Sequence, residues 1–78
     1  MNIKRLPNRN LDPLSIEVGS KIKSAREECG LSQQELAELM GFKTGVAISL
    51  YESNQRQINA VDLWLVSQIT NLPITHFI

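Results

Sequence analysis

Residues 32–52, SQQELAELMGFKTGVAISLYE, constrain the fold more than any other stretch of the chain. Ser32 stands three residues before Glu35, so hydroxyl and carboxylate can each satisfy a backbone N–H left unpaired at a helix start. Leu36, Ala37 and Met40 then recur at helical spacing and give that helix one apolar face. Gly41 follows where the helix must stop, because glycine enters the left-handed conformation of a C-terminal cap without a steric cost. After a short polar break, Val46, Ala47, Ile48, Leu50 and Tyr51 predict a second helix. The unit is two short helices joined by a tight turn.

The rest of the chain reads as helices around that unit. Residues 1–14 carry Lys4, Arg5 and Arg9 against Asp12, show no periodicity, and are expected to form a flexible basic arm ahead of a domain over 15–78. The arm is either a loose terminus or a segment that follows a DNA backbone or enters a minor groove. A first helix should begin at Asp12-Pro13 or at Ser15, since Asp and Ser cap helices and Pro is tolerated at the first position. Val18, Ile22, Ala25 and Cys29 form its apolar stripe, Lys21, Lys23 and Glu27 face away, and Gly30 ends it. A last long helix fits residues 59–71, with Asn59 as cap, Asp62 in the first turn, Asn71 as a left-handed terminator and Pro73 blocking continuation. Ile74 and Phe77 then close the core. No strand-like alternation is present, so the expected fold is an all-α, compact five-helix bundle.

Composition narrows the function classes. Seventy-eight residues make one small domain, for which dimerisation would add stability. A single Cys29 cannot form an internal disulfide and has no metal-ligand spacing with His76, which suits a reducing cytosol; as a thiol it reads as packed or half-exposed. No apolar run spans a membrane, and the first ten residues lack the apolar middle of a signal peptide. One histidine, no glycine-rich phosphate loop and little chain for a deep pocket argue against an enzyme, and neither metal nor cofactor is implied. Eight basic residues balance eight acidic ones, so attraction to phosphate must come from where the charges lie, not from their sum.

Taken in order, Arg26, Gly30-Leu31-Ser32-Gln33, Glu35-Leu36-Ala37, Gly41, Ile48-Ser49 and Glu52, with LPITHFI at the end, resemble the phage-repressor/Cro-like (Xre-like) helix-turn-helix family of transcriptional regulators over roughly residues 16–78. The resemblance implies a lambda-repressor-like domain, cytoplasmic and of bacterial, phage or plasmid type. It would bind operator DNA as a dimer through its third helix. It further implies an ion pair between Arg26 and Glu52 that ties the first and third helices, a role suited to the guanidinium fork. Gln33 matches a phosphate-holding position at a helix start. Lys43, Arg56 and Asn59 complete the expected phosphate contacts, and Asn54 takes a left-handed bend where the family often has glycine.

The chain departs from the family in three places. The segment from Gly41 to Glu52 is one residue longer than usual, with the extra residue among Phe42-Lys43-Thr44-Gly45. The base-reading positions map to Thr44, Gly45, Val46, Ser49 and Leu50, which can touch a thymine methyl or make single hydrogen bonds but cannot form the bidentate pairs of Arg or Gln. Specificity then draws on DNA shape, the arm and dimer spacing. In the fourth helix, Leu63, Val66 and Ser67 match buried positions, with Thr70 in place of a common Leu. Val61, Leu65 and Ile69 fall where polar residues are usual. A rotated helix would simply bury that extra stripe. The preferred expectation is a homodimer contact built from Val61, Trp64, Leu65, Ile69 and Phe77. The competing function is a protein-interaction module of the same fold that has lost DNA affinity and holds a partner through apolar surfaces of the third and fourth helices.

Overall fold

The computed structural model describes residues 13–78, with side chains described from residue 18. Four α-helices follow one another: α1 (Pro13–Glu28), α2 (Gln33–Leu39), α3 (Val46–Glu52) and α4 (Ala60–Thr70), and a 3₁₀ turn at Ile74–His76 closes the chain. No strand occurs among the described residues. Among the described residues the fold is all-α as expected, but with four α-helices, not five. Pro73 starts the last segment in extended backbone, and only single i→i+3 bonds follow, His76 N–H to Pro73 O (2.9 Å) and Phe77 N–H to Ile74 O (3.0 Å). So short a piece closes as a 3₁₀ turn because an α-helix needs a longer run to repay its nucleation.

Helix boundaries follow from local chemistry. At α2 the capping box is complete: Glu35 N–H donates to Ser32 Oγ (3.0 Å) and Ser32 N–H donates to Glu35 Oε1 (2.9 Å). Asn59 caps α4 by accepting from Asp62 N–H (2.8 Å), and Asn71 ends it in the left-handed region at φ 58°. Gly30 and Gly41 carry positive φ at the ends of α1 and α2, and Asn54 does so after α3. Helix α1 starts at Pro13, the earlier of the two expected positions. The remaining arm, with Lys4, Arg5, Arg9 and the Asp12 cap, lies outside the described residues.

Ile22, Leu36, Ala37, Ile48, Val66 and Phe77 form the centre of the core, with Ala25, Tyr51 and Leu63 closing its edge. Every helix contributes, and the terminal 3₁₀ turn delivers Phe77 with no exposed surface. Phe77 is therefore a core residue, which corrects its assignment to a dimer surface: an aromatic side chain gains more from an apolar interior already formed within the chain. Cys29, at the far end of the α1 stripe, is exposed. Ser67 and Thr70 are buried on α4, and each hydroxyl donates to a helix carbonyl, Ser67 to Trp64 O (2.6 Å) and Thr70 to Val66 O (2.7 Å). Back-bonding of this kind lets a polar residue occupy a helix face that packs inward. Among the described residues no buried side-chain polar atom is left without a partner.

Helix α3 rests mainly on α1 and α2, while α4 packs on α1 and the terminal turn. The α1–α3 approach is close enough that a Cβ on Gly19 would stand 2.7 Å from Tyr51 O and 3.1 Å from Glu52 O. Only a residue without a side chain fits there. No described helix is long and apolar enough to cross a membrane.

Candidate nucleic-acid interface

Beneath α3, one buried carboxylate joins three helices. Arg26 of α1 donates from Nε to Glu52 Oε2 (2.7 Å) and from Nη2 to Glu52 Oε1 (3.2 Å), a two-pronged contact. Both side chains are almost wholly enclosed. A third donor prong, Nη1, reaches Leu31 O (2.8 Å) in the α1–α2 connection, just before the Ser32 cap. Gln33 of α2 adds Nε2 to Glu52 Oε1 (3.0 Å). The hydrogen bond to Glu52 holds the Arg26 guanidinium above its ordinary value against the cost of burial, so it stays charged. Breaking so enclosed a pair leaves an uncompensated charge, which costs on the order of 3–5 kcal/mol. The junction therefore fixes the mutual orientation of α1, α2 and α3.

Residues 40–45 connect α2 to α3. Gln34, one position after Gln33, turns the other way and engages this connection: its Oε1 accepts from Gly45 N–H (3.0 Å) and its Nε2 donates to Lys43 O (3.1 Å). Glu38 Oε2 lies 3.2 Å from the same nitrogen. Lys43 and Thr44 are exposed at the tip, and Val46 at the first position of α3 is 62% exposed, while Ile48 and Tyr51 of the same helix are buried. The Thr44 hydroxyl accepts from Val46 N–H at 3.4 Å. Ser49 and Leu50 are half-buried. Among the expected base readers, then, Thr44 and Val46 project outward and Ser49 and Leu50 present only part of their surface. Gly45 does not project. It is the N-cap of α3, its N–H is taken by Gln34, and a Cβ there would lie 3.1 Å from the Gln33 carbonyl carbon and 3.1 Å from Gln34 N. Its place is against α2, where the close approach favours glycine.

The expected phosphate residues divide in the same way. Lys43 is exposed at the turn. Arg56 is exposed in the α3–α4 connection, with its backbone N–H bonded to Leu50 O (3.2 Å) and its guanidinium beside the Tyr51 hydroxyl. Gln33 has one amide N–H committed to Glu52, which leaves the second N–H of that nitrogen and its backbone N–H as donors, while its carbonyl oxygen, an acceptor, cannot bind phosphate. Asn59 engages Asp62 through both side-chain polar atoms, Oδ1 accepting from the backbone N–H and one of the two Nδ2 hydrogens donated to Oδ2 (3.3 Å). Asp62 also accepts from the Tyr51 hydroxyl (2.8 Å), tying α3 to α4. Burial and then that bond raise Tyr51 above its usual value of 10.0. The α4 start is thus occupied by its own cap and carboxylate.

On α4, Leu63, Val66, Ser67 and Thr70 face the core, so the helix is not rotated to bury its additional apolar stripe. Val61 is 68% and Trp64 53% exposed, and Leu65 is half-buried beside them at helical spacing. Ile69 is half-buried and packs against the core.

Two residues that sequence reading passes over matter here. Gly19 sits in mid-helix, where glycine costs about 1 kcal/mol relative to alanine, and that penalty was a signal of close backbone approach. Gln34 carried no local signal for its hold on the turn, since its partners there are nine and eleven residues away. Among the described residues no group of His, Cys, Asp and Glu could hold a metal.

Comparison with known proteins places this geometry. Residues 22–77 match the helix-turn-helix family. An uncharacterized HTH-type transcriptional regulator of Sinorhizobium medicae (strain WSM419) is 38% identical over 74 residues, 95% of this chain and 50% of that protein. One of Rhizobium meliloti (strain 1021) gives the same figures. The chain spans about half the length of these relatives. Among solved structures, the restriction-modification controller protein C.AhdI of Aeromonas hydrophila superposes with a TM-score of 0.73 at 22% identity, covering 81% of this chain and 94% of that one. The clp gene regulator ClgR of C. glutamicum also reaches 0.73, at 20% identity and 82% of each chain. The DNA-binding domain of BldD matches equally, 0.73 at 21% identity, over 83% and 93%. At such identities the likeness establishes the fold.

Proposed function

The chain belongs to the helix-turn-helix family of DNA-binding transcriptional regulators, which are not enzymes, and from that premise we propose that it binds operator DNA as a homodimer with α3 in the major groove, acting in the cytoplasm as a repressor. The observation that carries this reading is the split character of the α2–turn–α3 unit. Ile48 and Tyr51 anchor α3 in the core, while Lys43, Thr44 and Val46 stand exposed at its leading end with Arg56 exposed in the connection that follows it. Thr44 and Val46 offer methyl contacts to thymine, and Ser49 offers a hydroxyl to a base edge. Lys43 and Arg56 supply the phosphate contacts, joined by the backbone N–H of Gln33. With no bidentate reader, selectivity rests on shape and half-site spacing as much as on base edges.

A dimer fits both the weak readout and the apolar α4 surface of Val61, Trp64 and Leu65. That same surface, with Val46 and a net charge of zero, is what favours the second reading, a partner-binding module without DNA affinity. Salt separates the two. Selection from a random duplex pool should return a palindrome with half-sites about one helical turn apart, bound with an affinity that falls steeply as salt rises. If no duplex, selected or random, binds at low salt, the DNA reading fails and the partner-binding reading stands.

A further inference from the structure

We propose that Gln34 is a positioning residue for the reading helix: its carboxamide clamps the extended turn and, together with the missing side chain of Gly45, sets where α3 begins relative to α2. This rests on the DNA-binding reading above and adds to it the device that makes α3 a rigid reader.

The connection between α2 and α3 runs over six residues, 40–45, and a connection of that length can adopt many conformations. The Gln34 side chain removes that freedom. It presents one acceptor and one donor to the chain two residues apart, Gly45 N–H at 3.0 Å and Lys43 O at 3.1 Å, as a peptide group in a turn would. Both partners flank Thr44, so the clamp fixes the residue at the tip from either side. Glu38, one helical turn further along α2, engages the same amide nitrogen at 3.2 Å and holds the side chain in its rotamer. On the opposite side, Gly45 lies so near the first residues of α2 that any Cβ would be 3.1 Å from backbone atoms of Gln33 and Gln34. Its φ of −79° is open to any residue, so what glycine supplies here is proximity, not backbone conformation.

The two glutamines thereby divide the work. Gln33 reaches inward to the Arg26–Glu52 junction and orients α2 against the core. Gln34 reaches outward and orients the turn against α2. Thr44 and Val46, separated by Gly45, inherit their position from the second contact.

The test compares wild type with Gln34→Met, which keeps side-chain length and removes both hydrogen bonds, and with Gln34→Glu, which keeps the acceptor for Gly45 but repels Lys43 O and Glu38. Amide hydrogen exchange of Gly45 in the free protein is read first, then the ratio of affinity for the selected duplex to that for random duplex. In Gln34→Met, Gly45 protection and the specificity ratio should each fall about five- to tenfold, the size of the one hydrogen bond lost at Gly45 N–H, with random-duplex affinity near wild type and the midpoint of thermal unfolding lowered by several degrees at most. Gln34→Glu should fall between the two. Unchanged Gly45 protection in Gln34→Met overturns the clamp. So does a loss of specific and random binding in equal proportion. A wild type that binds no duplex refutes the DNA reading instead, while the exchange measurement still decides whether Gln34 holds the turn.

Discussion

Helix α3 and helix α4 are attached to the same core by different chemistry. Around α3 the contacts are directional: Arg26 forks onto Glu52, Gln33 shares that carboxylate, Gln34 grips the turn, and Gly19 lets the α1 and α3 backbones close to near contact. Helix α4 is held mainly by the burial of Leu63 and Val66, with Tyr51–Asp62 as its polar tie to α3. Apolar burial is non-directional and tolerates small rotations, whereas a bidentate charged pair does not. The difference teaches where precision is required. On the function proposed above, the helix that would meet base edges is locked by geometry, while the one that would present Val61, Trp64 and Leu65 to a second copy needs only a broad apolar face.

The largest effect should come from the α3 side. Arg26→Ala is expected to cost about 3–5 kcal/mol in denaturant unfolding, because Glu52 stays buried with Gln33 as its remaining side-chain donor. Arg26→Ala with Glu52→Ala should cost clearly less than the sum of the single changes. Additive losses would show that the two residues act independently and that the lock is not there.

Next comes Gly19→Ala. Although alanine favours helix, its Cβ would meet Tyr51 O at 2.7 Å, so a net loss of about 1–3 kcal/mol is expected from forced separation of α1 and α3. A stabilised Gly19→Ala protein would mean that the two helices part without penalty.

The tie between the two regions should be weaker. Tyr51→Phe removes the hydroxyl that donates to Asp62 and should cost about 1 kcal/mol at neutral pH. The folded protein raises Tyr51 above 10.0, so this contribution is intact below that pH and is lost as pH climbs through the folded value. Unfolding followed from pH 8 upward, through about pH 10 where free tyrosine titrates, should therefore show a decline that is shallower in Tyr51→Phe. Parallel curves would assign the decline to other groups.

The smallest effect on folding belongs to α4's outer face. Leu65→Lys should change stability by no more than about 0.5–1 kcal/mol, since the side chain is only half-buried. Sedimentation equilibrium should nevertheless show a weakened dimer. A wild type that stays strictly monomeric at high micromolar concentration removes the dimer altogether and leaves the contrast between α3 and α4 without its functional meaning.

How much of this was legible in the chain depends on distance along it. The Ser32–Glu35 box, the Asn59–Asp62 cap, and the turns at Gly30, Gly41 and Asn71 all involve residues within one helical turn, and each could be read directly. The expected base readers illustrate the limit. Their types and order were visible, but that Gly45 faces α2 while Thr44 and Val46 face outward depends on how the turn folds back. Phe77 shows it again: an aromatic near a chain end suits a core or an interface equally, and only the path of the terminal 3₁₀ turn decides between them.

The sequence by itself determined the helices, their caps and the joined α2–α3 unit, because capping, glycine's left-handed freedom and helical periodicity act between near neighbours. Tertiary structure alone decided that Gln33 and Gln34 point to opposite tasks, that Gly19 and Gly45 mark close approaches, and that α4 keeps an apolar face uncovered. Those outcomes rest on distances between segments far apart in the chain, which no local pattern encodes.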